Sequence, residues 1–133
     1  MDPVSAYLHR HGQPVQPEYF LGSHYLLGQR LACRSFQLTY RLDGNRLILC
    51  DFRAVSHDGL AVQSLRTLMH RIMAEVEAVH TVDAMIFVEE PDPLLAQQRQ
   101  RLVRLMQQEG AETVLMDGAP WLRITCRKEG RDD

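Results

Sequence analysis

The side chains able to hold metal, move protons or attack an electrophile are scattered in this chain. It carries six histidines and three cysteines. His9 and His11 lie two apart in a segment with helical spacing, so they face different directions, and no carboxylate or cysteine completes a ligand set around them. His70 and His80 fall in one expected helix nearly three turns apart. No metal site is expected. His57-Asp58 has the look of an acid–base pair, but adjacent residues at a helix start more often cap and turn, and no nucleophile is placed beside them. Glu89-Glu90 ends an apolar run, where sheet-end sites occur, and its plainer reading is a solvated strand end before Pro91. Arg34, Arg41, Arg46 and Arg53 accompany Phe36 and Tyr40, a composition that suits base stacking. Their alternating parity predicts that they do not line one face, and nucleic acid is not expected as a partner. No catalytic residue is assigned.

The elements that must position these groups are clearer than the groups themselves. Val82-Asp83-Ala84-Met85-Ile86-Phe87-Val88 is an almost unbroken apolar run, which predicts a central strand over 82–90 covered by helices. Leu65, Leu68, Met69, Ile72, Val76 and Val79 recur at helical spacing, giving a helix over 59–80 with Ser56 or Asp58 available as its cap. Asp92-Pro93 opens a helix over 92–110 with Leu95, Leu102, Leu105 and Met106 as its stripe and Gly110 as its stop. Asp2-Pro3 opens an N-terminal helix within 1–12 by the same device. Pro14 and Pro17 hold the next stretch extended, and Tyr19 to Gly28 reads as a loop with one short strand at most. A hairpin follows over 31–55 around Asp43-Gly44-Asn45, with Leu47-Ile48-Leu49-Cys50 apolar on both faces. A second hairpin over 112–127 turns at Asp117-Gly118, and the charged end from Lys128 is expected to fray. The order predicts an α/β (α+β) domain, a mixed and mainly antiparallel sheet with helices packed on its faces.

Composition narrows the class further. With 133 residues, 45% hydrophobic, 24% charged and a net charge of −2, the chain is expected to be one domain with its own core. That charge gives no bulk attraction to nucleic acid or acidic lipid. Cys33, Cys50 and Cys126 are odd in number and form no C-x-x-C pair, which predicts small buried thiols in a reducing cytoplasm. No run approaches the roughly 18 apolar residues of a membrane helix, and no secretory signal is expected.

Two resemblances add to this reading. Ser56-His57-Asp58-Gly59-Leu60-Ala61 resembles the phosphate-cradling turn Q/R-x-x-G-x-G/A of GNAT-type N-acetyltransferases, keeping the glycine and the small residue, with Ser56 at the Gln/Arg place. Leu105-Met106-Gln107-Gln108-Glu109-Gly110-Ala111 resembles that family's L-Y-x-x-x-G-F, with Met106 where the tyrosine acid stands. The likeness spans residues 46–127 and implies a GNAT-like fold. Under it Ser56, Gly59 and Ala61 are the residues to hold acetyl-CoA, although the loss of the acid argues against transfer.

Asp2-Pro3, Leu8, His11-Gly12, Pro17, Gly22, Leu27-Gly28, Leu38 and Arg41 resemble the LcrR family, the low-calcium-response proteins R of type III secretion. That likeness implies a cytoplasmic regulatory or accessory protein whose partners are other type III secretion proteins. None of the matched residues is chemically reactive, so it implies contacts rather than catalysis and no cofactor. The rival expectations are an acetyl-CoA-dependent N-acetyltransferase and, after it, a type III secretion chaperone.

Overall fold

A computed structural model describes residues 1–19, 23–55, 59–85 and 91–126. Helix α1 (Pro3–Arg10) opens the chain, and strands β1 (Val15–Tyr19), β2 (Leu26–Ala32), β3 (Phe36–Asp43) and β4 (Arg46–Ala54) follow. Helix α2 (Leu60–Glu75), strand β5 (Thr81–Met85), helix α3 (Pro93–Gln108) and strands β6 (Glu112–Met116) and β7 (Ala119–Thr125) complete it. The strands form one sheet in the order β1-β2-β3-β4-β5-β7-β6. All neighbours are antiparallel except β4 and β5. This is the mixed, mainly antiparallel α/β architecture expected of a GNAT-like chain.

Local chemistry sets the starts of α1 and α3 as expected, whereas α2 has Gly59 as its N-cap, with no side-chain cap bond, in place of Ser56 or Asp58. Asp2 is the N-cap of α1 and accepts from the Ser5 amide at 2.8 Å, with Pro3 at the first helical position. Asp92 does the same for α3, accepting from the Leu94 amide at 3.0 Å. Helix α2 is shorter than its apolar stripe. Val76 already has an extended ψ of 100°, yet the turn beyond it, closed by Val79 N–H on the Val76 carbonyl at 3.1 Å, still delivers Val79 to the core. The stripe marked burial, not helix.

The stretch read as a loop, Tyr19 to Gly28, begins on the last residue of β1 and takes in the start of β2. Pro17 is tolerated because β1 is an edge strand that needs no donor on its outer side. Gly28 is required by a close approach: a Cβ there would sit 2.2 Å from the Tyr40 carbonyl oxygen on β3. That packing has no signature in hydrophobic periodicity.

The sheet is covered from one side. Every strand residue of the core, from Leu31, Leu38 and Phe52 through Leu47 and Val82 to Leu122 and Ile124, falls on one face by register. Buried residues of α1, α2 and α3 all join that same cluster. The crossovers β4–α2–β5 and β5–α3–β6 step the same way across the sheet, and connections of one hand put both helices on one face. The central strand was expected to be covered by helices on both faces. Instead no described helix packs on the second face, and Ile48, buried there opposite Asp83 and Arg41, lies outside the core cluster.

Candidate functional site

Two places in the sheet bear on chemistry, and the first is where β4 and β5 part. They pair from Arg46 with Thr81 to Leu49 with Ala84. At the next residue β4 carries a bulge. Tyr40 of β3 faces Leu49 while Thr39 faces Asp51, which leaves Cys50 as the extra residue. On the helix side, Leu49, Ala84 and Met85 meet Arg99, Leu102 and Val103 of α3 around a cavity of about 20 Å³. That is space for about one water.

Of the expected coenzyme residues, Gly59 and Ala61 are among those described. Gly59 is the N-cap of α2 with φ 82°, a left-handed conformation that favours glycine. Ala61, the second residue of α2, is buried in the core. Ser56, and with it His57 and Asp58, lies outside the described residues, as do Glu89 and Glu90. Met106, at the place of the tyrosine acid, is 0% exposed in the core.

The second place is the face without helices. Asp83, hidden in the apolar run of the sequence, is 0% exposed. Its carboxylate accepts from Arg46 Nε at 2.7 Å, Arg123 Nε at 3.0 Å and Arg123 Nη2 at 3.0 Å. Arg46 also lies over the Trp121 ring, 5.7 Å from its centroid, a cation–π arrangement. Arginine stems therefore cover here what a helix would otherwise cover. Burial pushes the Asp83 carboxyl up, but the hydrogen bonds from Arg123 and Arg46 outweigh it, and the net position is below the ordinary carboxylate value.

Register corrects the parity argument for the hairpin arginines. Arg41 faces Ile48, Arg46 faces Asp43, and beyond the bulge Arg53 faces Gln37. Because the bulge inserts one residue, Arg41, Arg46 and Arg53 share the open face after all. Arg34 stands apart in the turn between β2 and β3. Carboxylates are interleaved with the shared arginines, Asp51 on Arg53 at 3.0 Å and Asp83 on Arg46, so the face is not a basic stripe.

The histidines serve other ends. His70 Nε2 lies 2.6 Å from Glu109 Oε2, and Arg66 holds the other oxygen of Glu109 at 2.6 Å, tying α2 to the end of α3. His80 is past the end of α2 and meets the Asn45 amide at 3.3 Å. Among the described residues no three His, Cys, Asp or Glu side chains come together as a metal site, and no helix is long and apolar enough to cross a membrane.

No protein-family model and no curated protein matches this chain. Solved structures do resemble it. One, described as a "putative acetyltransferase" from Sphaerobacter thermophilus DSM 20745, shares 10% identity over 94% of this chain and 89% of that one, with a TM-score of 0.48. Mycobacterium smegmatis RimJ in complex with CoA-disulfide shares 13% over 92% of this chain and 74% of that one, with a TM-score of 0.49. At these scores no activity is carried across, and the fold class rests on the sheet order itself.

Proposed function

We propose that the protein is a non-catalytic accessory or regulatory factor of type III secretion, working in the cytoplasm through contacts with other secretion proteins. The observation that carries the non-catalytic part is Met106, 0% exposed in the core at the place of the tyrosine acid.

The secretion context is supported by the LcrR-like residues, and most of these have structural jobs. Asp2 caps α1, Leu8 and Leu38 are core, and Gly28 lets β2 approach Tyr40. The test is a deletion strain scored for effector release with and without calcium, complemented by wild type and by Ser56→Ala. Altered release restored by both supports the reading. Unchanged release on deletion overturns it.

One observation favours the acetyltransferase reading as a second. Gly59 takes a left-handed conformation at the start of α2, where the resemblance puts the phosphate-cradling turn. Calorimetric titration with acetyl-CoA decides between the two: a dissociation constant near or below about 10 µM, roughly −7 kcal/mol, would favour the enzyme.

A further inference from the structure

We propose that the groove between the outer side of α2 and the turn joining β2 to β3 binds a small organic anion with an apolar body. The groove encloses about 490 Å³, within the range of small-molecule sites. Residues 60, 63, 64, 67, 68 and 71 of α2 form one wall at helical spacing. They lie beside the stripe Ala61, Leu65, Met69 and Ile72 that faces the core. Residues 33–36 form the opposite wall, and Gln13, just beyond α1, closes one end. This is a different place from the β4–β5 junction, and the inference does not depend on the reading given above.

The lining has two parts with different chemistry. Leu31 and Phe36, both buried, line the groove together with Leu68 and offer an apolar surface. Around it stand Arg34 and Arg71, one on each wall, with the hydroxyls of Ser35, Ser64 and Thr67. No carboxylate among the described residues lines the groove. Neither arginine makes an ion pair among the described residues, in contrast to Arg30, Arg46, Arg53, Arg66 and Arg123, which all do. Thr67 donates its hydroxyl proton to the Gln63 carbonyl at 3.0 Å, which leaves its oxygen as an acceptor. Another large cavity, about 580 Å³ at the ends of α2 and α3, is built differently. Glu109 and Glu112 line it, and Glu109 is already held by Arg66 and His70.

Two guanidiniums that form no ion pair with a described carboxylate, one on each wall beside an apolar surface, suit a ligand with one anionic head and a short hydrocarbon or aryl body. The apolar part supplies area and the head supplies orientation. A neutral ligand of the same shape would lack the second contribution, and a bare inorganic anion would lack the first.

The experiment is an amide-resolved NMR titration of the full chain with octanoate, with octanol as the neutral match and inorganic phosphate as the bare anion. Octanoate is expected to shift amides within 31–36 and 60–71 and to saturate. Octanol and phosphate should bind at least about tenfold more weakly, the effect of one charge-assisted hydrogen bond. Arg34→Gln and Arg71→Gln remove exposed side chains that make no ion pair among the described residues, so dispersed spectra are expected, and each should weaken octanoate by about the same factor. Octanol binding as tightly as octanoate would overturn the proposal. So would octanoate affinity unchanged in both variants, shifts confined to other residues, or no shift up to about 10 mM, beyond the affinity of weak fragments.

Discussion

Asp83 and Arg46 sit on neighbouring parallel strands, and Asp83 Oδ2 accepts from Arg46 Nε at 2.7 Å with the carboxylate wholly shielded from water. Arg123 reaches the same carboxylate from the antiparallel neighbour. One side chain on β5 thus joins the two halves of the sheet. Asp83→Asn should therefore cost stability. Breaking a buried pair costs about 3–5 kcal/mol, and the lower end applies because the arginines remain 28% and 29% exposed. The folded carboxyl lies below its ordinary value, so its contribution is full above about pH 4 and is lost as pH falls through the folded value. Thermal melts should show a wild-type advantage at pH 7 that narrows below about pH 4. A gap independent of pH would mean the charge is not the cause.

Tyr40 makes the opposite prediction at the alkaline end. Ser5 Oγ donates to Asp2 Oδ2 at 2.6 Å, so across the 2.7 Å contact with Ser5 it is the Tyr40 hydroxyl that donates. Burial, with Asp2 nearby, pushes the Tyr40 phenol up to about 12, against a smaller lowering by its bond to Ser5. A folded pKa above the unfolded value means full stability below about pH 10 and a loss of roughly 3 kcal/mol as pH climbs to 12 and beyond. Tyr40→Phe should cost about 1 kcal/mol at pH 7 and flatten that part of the alkaline decline in chemical denaturation.

Gly28→Ala tests the approach of β2 to β3. The added carbon would meet the Tyr40 carbonyl oxygen at 2.2 Å, and a backbone atom in a sheet cannot move aside cheaply. Overpacking costs about 1–3 kcal/mol, so the melting temperature should fall by roughly 5–15 °C. An unchanged melt would mean that the two strands are farther apart.

The thiols should be slow but reachable. Cys33, Cys50 and Cys126 are each half-buried, not sealed in the core as expected, and none is in a disulfide. Burial raises Cys33 and Cys50 above the ordinary thiol value, which lowers the thiolate fraction. At pH 7.5 their labelling should be slower in the folded chain than in urea. Equal rates would remove burial as an influence on them.

The helices were legible because their signals are local. Asp2-Pro3 and Asp92-Pro93 announce starts through chemistry within four residues, and both caps are in place. What the sequence concealed depends on distant partners. Asp83 looks like a blemish in an apolar run until Arg46 and Arg123 are brought beside it, 37 and 40 residues away. The hairpin arginines misled through parity, since an inserted residue at Cys50 reverses which side later residues face. The groove beside α2 is assembled from Gln13, the turn at 33–36 and one side of a helix, and no spacing rule joins such segments.

The two edges of the sheet differ in a way that bears on the fate of the chain under stress. β1 carries Pro17, which denies a would-be neighbour a donor. β6 reads Glu112-Thr113-Val114-Leu115-Met116, with no proline or basic residue, and its Leu115 is 77% exposed. Its outer backbone has no partner strand among the described residues. Heat or mutation that loosens α3 would widen access to this strand, and aggregation would be expected to begin there. Leu115→Lys should keep heated protein in solution without altering how the rest of the sheet is put together.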